Sequence, residues 1–544
     1  MKRVKPAVAS IVILLGVSCS KPDQSPKSSE VIPLFDNLGS HHHAVTTDNE
    51  QAQKYFDQGL RLVYGFNHDE AERAFREAAR LDPKLAMAWW GVAYTLGPNY
   101  NLAMDAKRNG TALEAVQKAQ SLQGGASEPD RAYIAAIAAR YSADANANRG
   151  DLDRAYGNAM KELHNKYPED NDAAVLYAES LMDLKPWQLW TADGKPQPGT
   201  TEILDVLEAV LTRDPNHPGA NHYYIHAIEA SPTPEKGVPS AERLKTLVPG
   251  AGHLVHMPAH IYIRTGDYGG AVDANANAAS ADEAYFGRTK VEGMYPLMYY
   301  THNFQFLSAA AGMLGQSQKA IDAAAKAVAN AAPLAGHDPM VEYVLPWSLY
   351  AMARNARWDD VLQYTQPADV TSSTVAMWRY ARGMALVAKG DLTAAQKERQ
   401  DFETARVKVP MDLMLNTNRA HDLLNVAAEV LDARLSAGGD RKAAINHWKK
   451  AIEIQDRLVY DEPPAWYYPV RESLGGEYLR DRQYAEAEKV FRRDLQMNPN
   501  NPRSLFGLSE ALKGQKKNSE ADQFRQQFEK AWQGADVNIS VQTL

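Results

Sequence analysis

The chain of 544 residues has a single cysteine, Cys19. Everything after it is therefore without disulfides, thiolate metal sites and cysteine nucleophiles. No run of Lys and Arg forms a basic block, and the net charge of −8 is spread over both signs, which excludes nucleic acid as an expected partner. There is no Gly-rich phosphate loop, no G-x-S-x-G and no H-E-x-x-H. No motif announces a reaction. Long hydrophobic runs are missing too: the one apolar stretch of note, residues 7–17, is too short to span a bilayer comfortably. No segment reads convincingly as a strand.

What is there begins with a targeting segment. Lys2, Arg3 and Lys5 precede the apolar run, and Cys19 ends it. Leu15-Gly16-Val17-Ser18-Cys19 resembles the lipobox of bacterial lipoproteins, with Gly16 where a larger aliphatic residue is usual. That resemblance implies acylation of Cys19 and a lipid-anchored protein on the periplasmic side of a bacterial envelope. A plain secretory signal cut nearby is the alternative. Residues 20–50 read as a flexible, Ser-, Lys- and Pro-rich tether followed by an arm containing His41, His42 and His43.

A 34-residue period organises the rest. In a frame starting at residue 52, Gly59, Ala71, Phe75, Ala78 and Pro83 fall at positions 8, 20, 24, 27 and 32. From Tyr468 the same positions hold Gly475, Ala487, Phe491 and, at 32, Pro499. These positions resemble the tetratricopeptide repeat (TPR). Small residues let two helices approach, the aromatic fills the space between pairs, and proline stops the second helix. Further frames start at Pro218 and Gly252 and near residues 301 and 376, so helix breaks are predicted at Pro83, Pro215, Pro249 and Pro499. The expected fold is all-α: a TPR solenoid, a right-handed superhelix of antiparallel helix pairs. Residues 1–19 form the signal, 20–50 the tether and arm, 51–345 an N-terminal array and 346–544 a C-terminal array. Residues 186–200 and 286–300 break the period as loop insertions, and 232–239 lengthens a turn.

Six of the 15 histidines lie between residues 222 and 302. His222 and His226 form one H-x-x-x-H pair, and His256 and His260 form another one repeat later. The pairs occupy positions 5 and 9 of their units, and His253 and His302 fall at position 2. Those positions share one helix face, the one that lines the concave groove, so the six imidazoles are expected to converge there. Imidazoles at i and i+4 can share an ion, and the donor set suits Zn, Cu or Fe. Glu229, at position 12, is expected nearby as ligand, outer partner or base. His68 reads as a helix-start residue, and Trp89, Trp90 and Tyr94 as core. His337-Asp338 and Glu342 are not placed by the sequence. The triple His41–His43 is either an extra set of ligands folded into the groove or a solvated arm.

Several stretches together resemble a group of exported bacterial TPR proteins without an assigned biochemical role. They are His42-His43-Ala44-Val45-Thr46-Thr47, Gly65-Phe66-Asn67-His68-Asp69-Glu70-Ala71, Met87-Ala88-Trp89-Trp90-Gly91, Gly97-Pro98-Asn99-Tyr100-Asn101 and His256-Met257-Pro258-Ala259-His260-Ile261-Tyr262. The resemblance spans most of residues 41–345 and implies a fold, not a reaction. Two functions fit: a binding scaffold that holds a protein or peptide partner, or a metal ion, in its groove, and a metal-dependent hydrolase or oxidoreductase built on the same histidines, with Glu229 as its base.

Overall fold

A computed structural model describes residues 32–544 apart from 145, 290, 292, 336–338 and 368–369, and the side chains of 339 and 340. It is an all-α solenoid of TPR type, with consecutive helices packed as antiparallel pairs. Cys19, His337 and Asp338 lie outside the described residues.

The repeat is clearest in its turns. In seven pairs the residue two before the second helix has positive φ: Phe66, Gly266, Gly315, Ala356, Gly390, Arg482 and Lys516. This left-handed residue reverses the chain after the first helix and frees it to begin the second. The next residue caps that second helix: Asn67, Asp267 and Asp391 each accept a backbone N–H with their side chains. The cap before His68 is thus Asn67, and His68 is the first helical residue, buried beside Tyr94.

Packing follows from the same frame. The helix His68–Leu81 buries Ala71, Ala74, Phe75 and Ala78, the i, i+3, i+4, i+7 stripe of a core-facing helix. Phe75 is wedged between Gly59 and Gly91: a Cβ at Gly59 would stand 2.6–2.8 Å from its ring carbons, and one at Gly91 would collide with the same ring. Phe491 sits between Gly475 and Gly507 in the same way. Helices stop two residues before each of the four prolines, at Leu81, Arg213, Leu247 and Met497. Trp90 and Tyr94 are buried in the core, with Trp89 half-buried against it.

Three features depart from the sequence reading. A short antiparallel hairpin pairs Met414–Leu415 with Asn418–Arg419, turned by Asn416 at φ 56°, where no strand was expected. The 286–300 insertion is only partly a loop, because one helix runs on to Phe286 and a π-helical turn over Pro296–Tyr300 leads into the helix Thr301–Met313. The arm is no free tether over residues 32–49. Phe35 N–H donates to Gln58, Gln58 donates to Pro33 O, Gly250 N–H donates to Asn37 O and Arg61 donates to His41 O, so the arm lies docked on the first helix.

The C-terminal repeats fold back on the middle of the array. Arg503 donates to Gly312 O at 2.8 Å, and Asp536 accepts from Ser317 N–H at 2.6 Å. This return carries the proline-rich segment between the helices Arg441–Gln455 and Val470–Arg480 to the face of His260.

Candidate metal centre

His222 and His226 stand on the helix Pro218–Ile228, His253 and His256 on Gly252–His256, His260 on Pro258–Thr265, and His302 on Thr301–Met313. All six come together. The potential ligand atoms of His222, His226 and His253 lie within 4.8 Å of one another, and so do those of His256, His260 and His302. The two trios touch, with ring centroids 5.2 Å apart for His226 and His260 and 5.8 Å for His253 and His256. Five of the six are buried, and His302 is half-buried.

The hydrogen bonds decide where the ring protons are. His222 Nδ1 is 2.7 Å from Tyr64 O, a carbonyl that can only accept, so the proton is on Nδ1. His256 Nδ1 is 2.6 Å from Asn275 Oδ1, and the Asn275 amide is fixed in that orientation by donating to Ala271 O. His226 and His260 direct Nδ1 to the two oxygens of one carboxylate, Glu229, at 2.9 and 2.5 Å. In His222 and His256 Nε2 is therefore a bare lone pair, and His226 and His260 turn Nε2 inward as well. The inner nitrogens converge: His256 Nε2 and His260 Nε2 are 2.7 Å apart, and His222 Nε2 accepts from His253 Nε2 at 3.1 Å, which leaves His253 Nδ1 without a partner. His226 Nε2 is buried with no hydrogen-bond partner at all.

Electrostatics keep the rings neutral. Burial lowers all six pKa values, His222 to about 3 and His256 to about 4, and the other four also fall well below the usual imidazole range. Burial also raises Glu229 and Glu462, and each carboxyl acts on the other. Glu462 lies against His260 Nδ1, and its second oxygen accepts from Tyr460 OH.

Aromatic rings wall the cluster. Phe66 lies edge-on to His222 at 4.5 Å and stacks on His253 at 5.3 Å. Phe66 holds the left-handed turn position that Gly266, Gly315 and Gly390 fill in other units, so its backbone strain places a ring where glycine would leave none. Phe306 packs on His256, His260 and His302. From the 186–200 loop, Trp187 meets His226 at 5.6 Å.

Glu229 is thus brought to the site, on the Nδ1 side of two rings, as an orienting partner. Carboxylate–histidine–metal chains have this form. Glu342 accepts from Thr371 and Thr374. The sequence reading missed Tyr64, Asn275 and Glu462. The first two act through a backbone carbonyl and an amide that leave no pattern. Glu462 had one signal: Glu462-Pro463-Pro464 interrupts the helical period, as the other site-lining insertions do.

The triple histidine goes neither into the groove cluster nor into solvent as a whole. His41 Nε2 and His43 Nδ1 bind Asp172 at 2.9 and 2.8 Å, while half-exposed His42 binds Asp57. Asp172 also accepts from Tyr64 OH and from His217 Nε2 at 3.2 Å. His217 Nδ1 is occupied by Ala220 N–H, so its proton is on Nε2. Asp172 is a carboxylate saturated with donors, the opposite of a cluster of converging ring nitrogens. It clasps the arm, and Tyr64 links clasp to centre, giving its hydroxyl to Asp172 and its carbonyl to His222.

No family model and no curated protein matches the chain. Solved structures similar to it include human IFIT1, solved as a dimer with m7Gppp-AAAA, at 14% identity, 89% coverage of this chain, 95% of that one and a TM-score of 0.35. Yeast Tom70 matches at 12% identity, 88% and 97% coverage and a TM-score of 0.33. Cut9, from the APC/C Cut9–Hcn1 hetero-tetramer, matches at 13% identity, 89% and 74% coverage and a TM-score of 0.32.

The clasp has a pH signature. Burial pulls the His43 pKa down, but the hydrogen bond and charge of Asp172, with Asp170 and Asp130, outweigh it and hold it at about 9, above its ordinary value of 6.5. A raised pKa stabilises the folded form below about 6.5, and that contribution, on the order of 2–3 kcal/mol, is lost as pH rises through about 9. Hydrogen exchange at residues 41–47 should accelerate beyond its intrinsic pH dependence between pH 7 and 9.5. In Asp172→Asn that step should vanish and the arm should exchange fast throughout. An unchanged arm in Asp172→Asn contradicts the clasp.

Proposed function

We propose that this protein is a metal-binding TPR solenoid of the bacterial cell envelope, holding transition-metal ions on His222, His226, His253, His256, His260 and His302. The observation that carries the reading is the 2.7 Å approach of His256 Nε2 to His260 Nε2. Both rings tie their outer nitrogens to Asn275 and Glu229 and are kept neutral by burial, so their inner nitrogens converge in a dry interior beside the unpartnered His226 Nε2. Neutral imidazole nitrogens gathered in this way are the donors a transition-metal ion takes. A nitrogen-only donor set suits Zn, Cu or Fe. The solenoid remains a scaffold for a protein or peptide partner on its outer and unfilled concave surfaces, since stacked repeats present such surfaces.

The export signal supports the location. A lipid-modified Cys19 tethers the body by its acyl chains, and among the described residues no helix is long and apolar enough to cross a membrane. Cys19→Ser should move the protein from the membrane fraction to the soluble periplasmic fraction, and persistence in the membrane contradicts the anchor.

Protein purified without a His-affinity step should gain thermal stability on addition of Zn(II) or Cu(II), because a ligand bound only by the folded state stabilises it by about 2.7 kcal/mol at 100 times its Kd. Replacing His226 and His260 together by Ala touches both trios and should abolish that gain, with helical circular dichroism retained. A wild-type melting temperature that ignores both metals sinks the reading.

A further inference from the structure

The two H-x-x-x-H pairs are 34 residues apart, one repeat, and each pair is completed by the histidine at position 2 of the following unit. His253 completes the first pair and His302 the second. The longer interval from His253 to His302 is the 34-residue period lengthened by the residue 286–300 insertion. The second trio is therefore the first trio translated by one repeat. A solenoid stacks equivalent positions side by side, so whatever the first trio binds, the second is built to bind again next to it.

We infer that the centre is dinuclear, with one ion held by His222, His226 and His253 and a second by His256, His260 and His302. This rests on the metal-binding reading above and extends it from a single shared ion to a pair. Three facts support two ions over one. Each trio is a complete three-nitrogen set in itself, its atoms within 4.8 Å of one another. The His222–His253 separation of 3.1 Å is close to the edge, about 3.3 Å, of a tetrahedron with metal–nitrogen bonds of about 2.0–2.1 Å. The orienting partners are doubled as well: Tyr64 O and Asn275 Oδ1 hold the first histidine of each pair, and the two oxygens of Glu229 hold the second of each.

Glu229 is the physical coupling between the halves. Its carboxylate accepts from His226 on one ion and from His260 on the other, so the two ligands cannot rotate independently. Three imidazoles leave each ion at least one position for a small exogenous oxygen donor such as water or hydroxide. The trios meet through His226 and His260, ring centroids 5.2 Å apart, so the two ions are neighbours.

The test is a count. Metal-free full-length chain is titrated with Zn(II), dialysed and analysed for bound metal per chain. Two ions are expected for the wild type, one for His222→Ala/His253→Ala and one for His256→Ala/His302→Ala. One ion in the wild type overturns the pair while leaving the metal-binding reading intact, and none overturns both. Loss of both ions in either double variant, with helix content unchanged, also overturns the two-site arrangement. A second readout does not depend on variants. Copper(II) loaded to two per chain should give an electron paramagnetic resonance signal broadened by dipolar coupling, because the ions are neighbours. A signal without that broadening contradicts the adjacency.

Discussion

Six imidazoles gathered in a dry interior, four of them with their outer nitrogens tied and their inner nitrogens turned together, are the constraint on which the middle of this structure depends. Protonation does not relieve it, since burial depresses every ring involved. Rotation does not relieve it either, because each Nδ1 of the four paired rings is tied to a carbonyl, an amide oxygen or a carboxylate. Buried polar atoms are ordinarily satisfied. A cluster that ties its outer nitrogens and gathers its inner ones, with His226 Nε2 and His253 Nδ1 unpartnered, is suited to an electrophile. The Asp172 clasp shows the contrast within one molecule: there the histidines donate, the carboxylate accepts, and nothing is left over.

The repeat makes the arrangement possible. One helix pair supplies an H-x-x-x-H, the next supplies a histidine one turn nearer its start, and translation by a unit copies the set. Irregular parts then finish it. The left-handed turn brings Phe66 in, the 186–200 loop brings Trp187, and the return of the C-terminal repeats brings Tyr460 and Glu462. Solenoid regularity thus sets the histidines, and departures from it seal them from water.

Much of this was legible in the sequence because it was periodic. Proline stops, the Gly59–Phe75 and Gly475–Phe491 contacts and the phase of the six histidines all follow from a 34-residue frame. What was not legible lacks a period. Tyr64 acts through its carbonyl, which any residue possesses. Asn275 acts from a second helix whose face the groove argument did not consider. Glu462 reaches His260 across some two hundred residues by closure of the superhelix, and no local pattern encodes that. The sequence does not place the arm, because the partner of His41 and His43, Asp172, is one acid among many and no pattern marks it.

The central claim is that the inner nitrogens bind an ion directly. X-ray absorption on the Zn-loaded chain measures this without reference to stability or stoichiometry. The account expects a first shell dominated by nitrogen at about 2.0–2.1 Å, with the outer-shell scattering of three imidazoles per ion. A shell of oxygens alone, without imidazole scattering, would place the metal elsewhere and contradict it.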